Sequence, residues 1–430
     1  MDSAKAQAVR NTLAPRIRRL RRELAIDLRL AFKEIVRRRR RSAVAVSAVA
    51  FGVVALLLAA GFIQWIFWAL REATIHSGLG HVQITRPGYG ESGLADPLAY
   101  LLPDGSPFMS AAEAAPGVRT LAPRLTFYGM ISLGDATLSF QGEGLRPERE
   151  GPLSTSVIYG AGEPLPANAT GDEVLLGQGL AENLGAKPGD RVVLLVSTPR
   201  GGINAVEARV RGFFSTVTKA YDDVAVRVPL ALAQRLLRVE GSTRWILILS
   251  DTEATPAAVE ALRSGLPADQ FTVTAWESLA DFYNKTVQLF SRQVAVLQII
   301  IVVIVVLAIS NSMTTAVLER TGEIGTALAL GATPRTVLRR FLVEGFALGL
   351  IGTGIGLALG LAAAAAISKV GIPMPPPPGM TRAYLGEIRV TPGLAAQAML
   401  LSLASSVLAA ILPAWRASRM TIVDAIRRGR

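Results

Sequence analysis

Four stretches of the chain carry no charged side chain: Ser42–Leu70, Gln293–Leu318, Gly345–Ser368 and Val390–Trp415. Each is longer than the roughly 20 residues an α-helix needs to cross a hydrocarbon core of about 30 Å. The pattern predicts an α-helical membrane protein with four transmembrane helices. A large α+β extracytoplasmic domain is inserted between helices 1 and 2. The first stretch is too long to be a cleavable signal peptide, whose apolar core has about 7–15 residues. As a helix its 29 residues reach about 43 Å, so it is expected to tilt or to continue outward past Trp65 and Trp68, an aromatic pair suited to the outer interface. The segment Trp276–Gln293 is helix-like but polar enough for water. Two helices are therefore expected to project beneath the outer domain.

Between them the apolar period changes. HVQIT (81–85), RVVLLV (191–196), ARVRGFF (208–214), WILILS (245–250) and FTVT (271–274) read as strands. LLGQGLAENLG (175–185), PLALAQRLL (229–237) and TPAAVEALRSG (255–265) read as helices. The Gly-, Pro- and Ser-rich parts 86–110 and 150–172 read as loops. The resulting plan has a basic amphipathic helix in 1–42, a first span with its stalk in 43–75, an outer domain of two subdomains in 76–275, and a stalk with the second span in 276–318. A short helix follows in 319–333, the third span in 334–368, an outer loop in 369–391, the fourth span in 392–415 and a tail in 416–430.

Charge orients this plan. Of the net +12, segments 1–42, 319–344 and 416–430 together hold +15, while 71–292 holds −5. Positive charge marks the cytoplasmic side, so both termini and the 319–344 loop are expected inside, in a multi-pass protein of the cytoplasmic membrane. Residues 16–36 repeat Ile17, Leu20, Leu24, Leu28, Ala31 and Ile35 at helical spacing among arginines. Such a helix suits the lipid headgroup layer. Nucleic acid is the weaker reading, because a span begins one residue after the run Arg37–Arg41.

The chemistry is sparse. With no cysteine there is no disulfide framework and no thiolate metal site, and no metal site is expected. No GxxxxGK[ST] phosphate loop, HExxH or GxSxG occurs. The two histidines, His76 and His81, flank a strand and read as structural. None of the four windows holds an ionisable residue, which coupled carriers need. Energy for any transport is expected from a partner. In the third span Gly352, Gly356 and Gly360 recur every four residues and are expected to let another helix approach closely.

The stretch ERTGEIGTALALGATPR (319–335) lies between the second and third spans. Glu319 and Glu323, four apart, are expected on one face of a helix leaving the second span. Ile324 and Leu328, with Gly325, Ala327 and Gly331, form a short apolar ridge, either displayed to the cytoplasm or simply part of a helical hairpin loop. Gly331 suits a helix stop, and Thr333-Pro334 a new N-terminus.

ERTGEIGTALALGATPRTVLRRFLVEG (319–345) closely resembles the signature of the FtsX-like permease family, membrane subunits of lipoprotein-releasing and macrolide-exporter type ABC transporters. PAWRASRMTIVDAIR (413–427) resembles that family's closing motif, departing from it at Ile422 and Ile426. FKEIVRRRRRSAVAVSAVAFGV, GHVQITRPGYGE and VLLGQGLAENLGAKPGDRVVLL resemble its N-terminal and outer parts. The resemblance implies a non-catalytic subunit that pairs with a second permease chain, identical or homologous, and with two copies of a separate ATPase, which bind ATP and Mg; this chain binds no cofactor. Glu319, Thr321, Glu323, Ile324, Gly325, Leu328 and Gly331 are then expected to form a coupling helix against the ATPase. The implied output is release of a lipoprotein or other amphiphile by mechanotransmission, with membrane lipid and an extracytoplasmic acceptor as partners. Regulation of an extracytoplasmic hydrolase, or peptide sensing, is the alternative. The glycine-free second span supplies Val296, Ile300, Ile304 and Leu307 on one face, either the wall of a substrate cleft or a surface for lipid or another helix.

Overall fold

The computed structural model of the protein describes residue 23 and residues 25–93, 95–169, 171–216, 218–374 and 384–421. Ile17, Leu20 and Leu24 of the expected amphipathic helix, the prolines at 375–378, and the closing motif from Ile422 onward lie outside the described residues. The rest falls into two compact units.

The first unit holds most of each apolar helix; the end of the first helix from Phe67 and the start of the second through Val287 belong to the second unit. Among the described residues four helices are long and apolar enough to cross a membrane: Arg39–Leu79, Asp281–Glu319, Pro334–Val370 and Pro392–Ser418. The first is regular to Thr74 and ends in a wider turn, Ile75–Leu79, with Gly78 at φ 127°. Glycine tolerates that angle without a Cβ clash. The third and fourth spans both begin Thr-Pro, where Thr333 and Thr391 accept a hydrogen bond from the third following backbone N–H.

Packing follows the small residues. A Cβ built on Gly352 would lie 2.6 Å from Val49 Cβ, on Gly356 2.7 Å from Val53 Cβ, and on Gly360 2.7 Å from Leu57 Cδ1. These three glycines therefore let the first span against the third. Gly345 and Gly349 do the same for the fourth span, opposite Ala410 and Ser406 at 2.5 Å. Dispersion contacts at this range are what hold helices together in lipid, which supplies no hydrophobic drive. Side-chain bonds add to them: Thr353 donates to Ser402 Oγ at 2.8 Å, and Ser310 donates to the Ala409 carbonyl at 2.9 Å. Residues 25–37 form a further helix. Its Ala31 and Ile35 are buried with Ala45, Val317 and Phe341 of the spans. The described part of the apolar stripe expected to face lipid headgroups, Leu28, Ala31 and Ile35, thus packs on the protein itself, while Ile26, Leu30, Phe32 and Val36 stay exposed.

The second unit is an α/β domain on one ten-stranded sheet, ordered β10-β1-β9-β2-β3-β8-β5-β7-β4, with β6 pairing β2 and β7. The strands are β1 (Val82–Thr85), β2 (Val118–Leu133), β3 (Ala136–Leu145), β4 (Ile158–Gly162), β5 (Glu173–Gly177), β6 (Arg191–Ser197), β7 (Ile203–Ser215), β8 (Ala225–Pro229), β9 (Arg244–Leu249) and β10 (Thr272–Ala275). The 16-residue β2 pairs β9 through its first half and β3 and β6 through its second. It thereby joins two apolar clusters. One lies among β2, β5–β8 and the helices Gln178–Leu184 and Leu230–Leu237; the other lies among β1, β9, β10 and the helix Thr255–Gly265. Strand β6 alternates buried and exposed positions, as a strand with one wet face must. Strands β2, β3, β4 and β8 were not expected from the sequence. Leu175–Gly177, expected at the start of a helix, belong to β5, and its register beside β7 explains why Val174–Gly177 are buried throughout. The expected loops 86–110 and 150–172 carry short helices (Tyr89–Ser92, Pro97–Tyr100, Pro107–Glu113) and β4.

Candidate coupling site between the second and third spans

The second span ends at Glu319 because Arg320 leaves helical geometry, at φ −109° and ψ 16°. The Thr321 hydroxyl turns back to the carbonyls of Val317 and Leu318, at 3.1 and 2.9 Å, satisfying the exposed end of that helix. A short helix, Thr321–Ala329, then runs to Gly331 at φ 95°. The Ala332 N–H bonds the Ala327 carbonyl at 3.0 Å, the glycine-dependent helix stop its sequence predicts.

Two features depart from the sequence reading. Glu319 and Glu323 do not share a helix face, because the break at Arg320 puts them in different helices. The apolar ridge, Gly331 apart, also points inward. Ile324 and Gly325 are buried and Leu328 is half-buried against a cluster that includes Val317, Val337 and Phe341. A side chain able to leave water within its own chain does so before any partner arrives. The outward face instead carries Glu323, Thr326, Leu330 and Gly331, with Leu330 84% exposed.

An ionic cluster fixes this elbow, and sequence reasoning missed it. The Arg320 guanidinium, 8% exposed, donates to Glu34 of the 25–37 helix and to Glu344 of the third span, the latter at 3.3 Å. Arg41 of the first span donates to Glu319 at 2.9 Å and lies 3.8 Å from Glu344. Arg38 also pairs with Glu319. Arg339 and Arg340 hold Asp27, itself 4% exposed. Glu319 is thus occupied by its own chain. The only sequence signal for the cluster was the opposite charge of segments some 280 residues apart, which fixes no pairing.

The residues expected in a substrate cleft lie together on the open side of the second span. Val296, Ile300, Ile304 and Leu307 are 48–64% exposed. Only 11% of this span's most apolar stretch is buried, against 44%, 28% and 39% in the first, third and fourth. Among the described residues no cluster of His, Asp or Glu could hold a metal ion.

Comparison with known proteins accounts for both units. Residues 42–264 match the MacB-like periplasmic core domain and residues 295–422 the FtsX-like permease C-terminal region. The chain is 24% identical over 328 residues to the lipoprotein-releasing system transmembrane protein LolC of Neisseria meningitidis, covering 72% of this chain and 74% of that protein. It is 30% identical over 175 residues to the macrolide export ATP-binding/permease protein MacB of Acinetobacter baylyi, covering 39% of this chain and only 25% of that one. The periplasmic region of MacB from Actinobacillus actinomycetemcomitans aligns over 49% of this chain and 94% of its own, at 12% identity and TM-score 0.35. A periplasmic core match over more than half of the chain, a permease region after it and four apolar helices place the chain in the FtsX-like permease family, the membrane subunits of LolC/MacB-type ABC transporters of the bacterial inner membrane.

Proposed function

We propose that this chain couples ATP hydrolysis in a separate ATPase to release of a lipoprotein or other amphiphile from the inner membrane, by mechanotransmission from the short helix to the periplasmic domain. The observation that carries this reading is the open aliphatic face of the second span. Val296, Ile300, Ile304 and Leu307 are exposed and uncharged, a surface suited to acyl chains and unsuited to an aqueous solute. Two permease chains, identical or homologous, bring two such faces together beside membrane lipid, and an extracytoplasmic acceptor takes the cargo. Both termini lie in the cytoplasm, as does the short helix. Two ATPase copies, which carry the ATP and Mg, dock on it. The buried Ile324 and Gly325 support the helix, while Glu323, Thr326 and Leu330 make the contact.

A photo-crosslinking residue at Ile300 or Ile304 tests the cleft. It captures lipid-modified substrate before ATP is added and loses it afterward. Crosslinks only to protein helices, unchanged by ATP, would overturn the reading.

A further inference from the structure

A second polar centre lies within the periplasmic domain. Three arginines stand on its sheet: Arg124 on β2, Arg227 on β8 and Arg244 on β9. Arg124 and Arg244 are direct cross-strand partners, an arrangement of like charges that destabilises a sheet unless carboxylates answer it. Two do. Glu150 accepts from Arg124 at 2.8 Å. Glu143 on β3, the register partner of Arg227, accepts from Arg244 and lies 3.7 Å from Arg227 Nε. Burial alone would raise the Glu143 carboxyl, but Arg244, Arg124 and Arg227 outweigh it and hold it at about 2.

Three guanidiniums face two carboxylates within ion-pair distance, and a third carboxylate, Asp222, balances the charge through its attraction to Arg227. Asp222 gives Arg227 no hydrogen bond, because its carboxylate is taken by the Thr216 N–H and hydroxyl at 2.9 and 2.8 Å. Arg227 and Arg244 each keep an Nε without a hydrogen-bond partner, and the Tyr221 hydroxyl, facing Glu143, completes no bond of normal geometry. Buried donors are rarely left so.

Glu143, Tyr221, Arg227 and Arg244 line a cavity of about 400 Å³. Its other wall is mostly apolar, built from Leu70, Leu79, Leu279, Phe282 and Tyr283, with the carboxylate of Asp281 among them paired to Lys285 at 2.6 Å. Leu279 and Phe282 are 40% and 61% exposed, so that wall reaches the surface. A floor of guanidiniums with unpartnered N–H donors beside a mostly apolar wall fits one ligand chemistry. We propose that this cavity binds the oxyanion head of an amphiphile, with Arg227 and Arg244 on the anion, Tyr221 donating to it, and the first methylenes of its chain against Leu279 and Phe282. The proposal rests on the reading of this chain as one that handles amphiphiles, and it adds the charge of the head.

The test uses the full chain in neutral detergent, with short-chain phosphatidylglycerol as the probe and titration calorimetry as the readout. One saturable site per chain is expected. Short-chain phosphatidylcholine binds at least tenfold more weakly, and inorganic phosphate competes only at concentrations at least tenfold higher. Arg244→Gln weakens binding at least tenfold. Phe282→Glu, at an exposed position that leaves the buried charges in place, does the same. Equal binding of the two lipids would overturn charge recognition. Inorganic phosphate binding as tightly as the lipid would make this a site for a free anion, and unchanged binding in Phe282→Glu would put the lipid elsewhere. Loss of the Ile300 crosslink with lipid binding intact overturns the transport reading alone; the reverse result overturns this one alone.

Discussion

Acid should loosen the periplasmic domain at a single imidazole. His81 is 1% exposed. The Leu249 N–H donates to its Nδ1 at 3.2 Å, so the ring proton sits on Nε2, which donates to the Thr252 hydroxyl at 3.0 Å. A second proton would set an N–H against the Leu249 N–H and strand a charge. Burial first, then His76 and Arg71, press the His81 pKa from 6.5 to about 4. The folded state therefore holds the ring neutral while the unfolded chain protonates it near 6.5. The stabilisation is complete above that pH and is lost as the pH falls toward 4. At about 1.4 kcal/mol per pH unit, that window corresponds to about 3 kcal/mol. With two histidines in the chain, carbon-13 labelling gives two resonances that His76→Gln assigns. The His81 signal should stay neutral through pH 5, and Leu249 amide exchange, corrected for its intrinsic rate, should accelerate steadily below 6.5. A His81 resonance titrating near 6.5 in the folded protein, with Leu249 exchange unaffected, would refute the argument.

Arg320→Ala leaves the buried Glu344 with only Arg41 at 3.8 Å and should cost about 3–5 kcal/mol. In detergent thermal unfolding, Glu344→Gln added to it should recover part of that loss; a double-mutant coupling near zero would dissolve the pair. Gly356→Ala forces a Cβ to 2.7 Å from Val53 and 2.8 Å from the Ala50 carbonyl, and should destabilise by about 1–3 kcal/mol. Gly354→Ala, where a Cβ meets nothing within 4 Å, should be neutral or better, so equal melting shifts for the two would contradict the packing. Ser264→Cys, exposed in the periplasmic domain, should react with an impermeant thiol reagent in intact cells and Thr326→Cys should not. Ser242, fully buried, would be a silent reporter.

The spans were legible because a charge-free run leaves few alternatives, and the Gly331 stop and Thr333-Pro334 start because each residue type has few backbone uses. The centre of the periplasmic sheet was not. Strand β2 contains Pro123 and Gly129, and β3 contains Gly142 and Gly144, which punctuate a sequence as turns do. Here they are contact sites. A Cβ on Gly129 would strike the Leu195 carbonyl at 2.4 Å, one on Gly142 the Phe127 ring at 2.4 Å, and one on Gly144 the Ala233 Cβ at 2.5 Å. Those neighbours are distant in sequence, so the reason for each glycine is visible only after folding. The outward direction of Glu323 and Leu330 was hidden for a related cause. A nine-residue helix offers apolar positions on more than one face, and only the cluster around Phe341 decides which face turns inward.

Pro413 sits inside the fourth span. It has no N–H, so the Ala409 carbonyl four residues earlier loses its usual donor. That carbonyl is the one Ser310 of the second span reaches. In hydrocarbon an orphaned carbonyl is intolerable, so the defect acts as an address. The fourth span arrives in the bilayer with a vacancy that a hydroxyl on a neighbouring helix can fill, and mutual recognition of the two segments is written into the main chain. Pro413→Ala would close the vacancy from within and leave Ser310 with nothing to find.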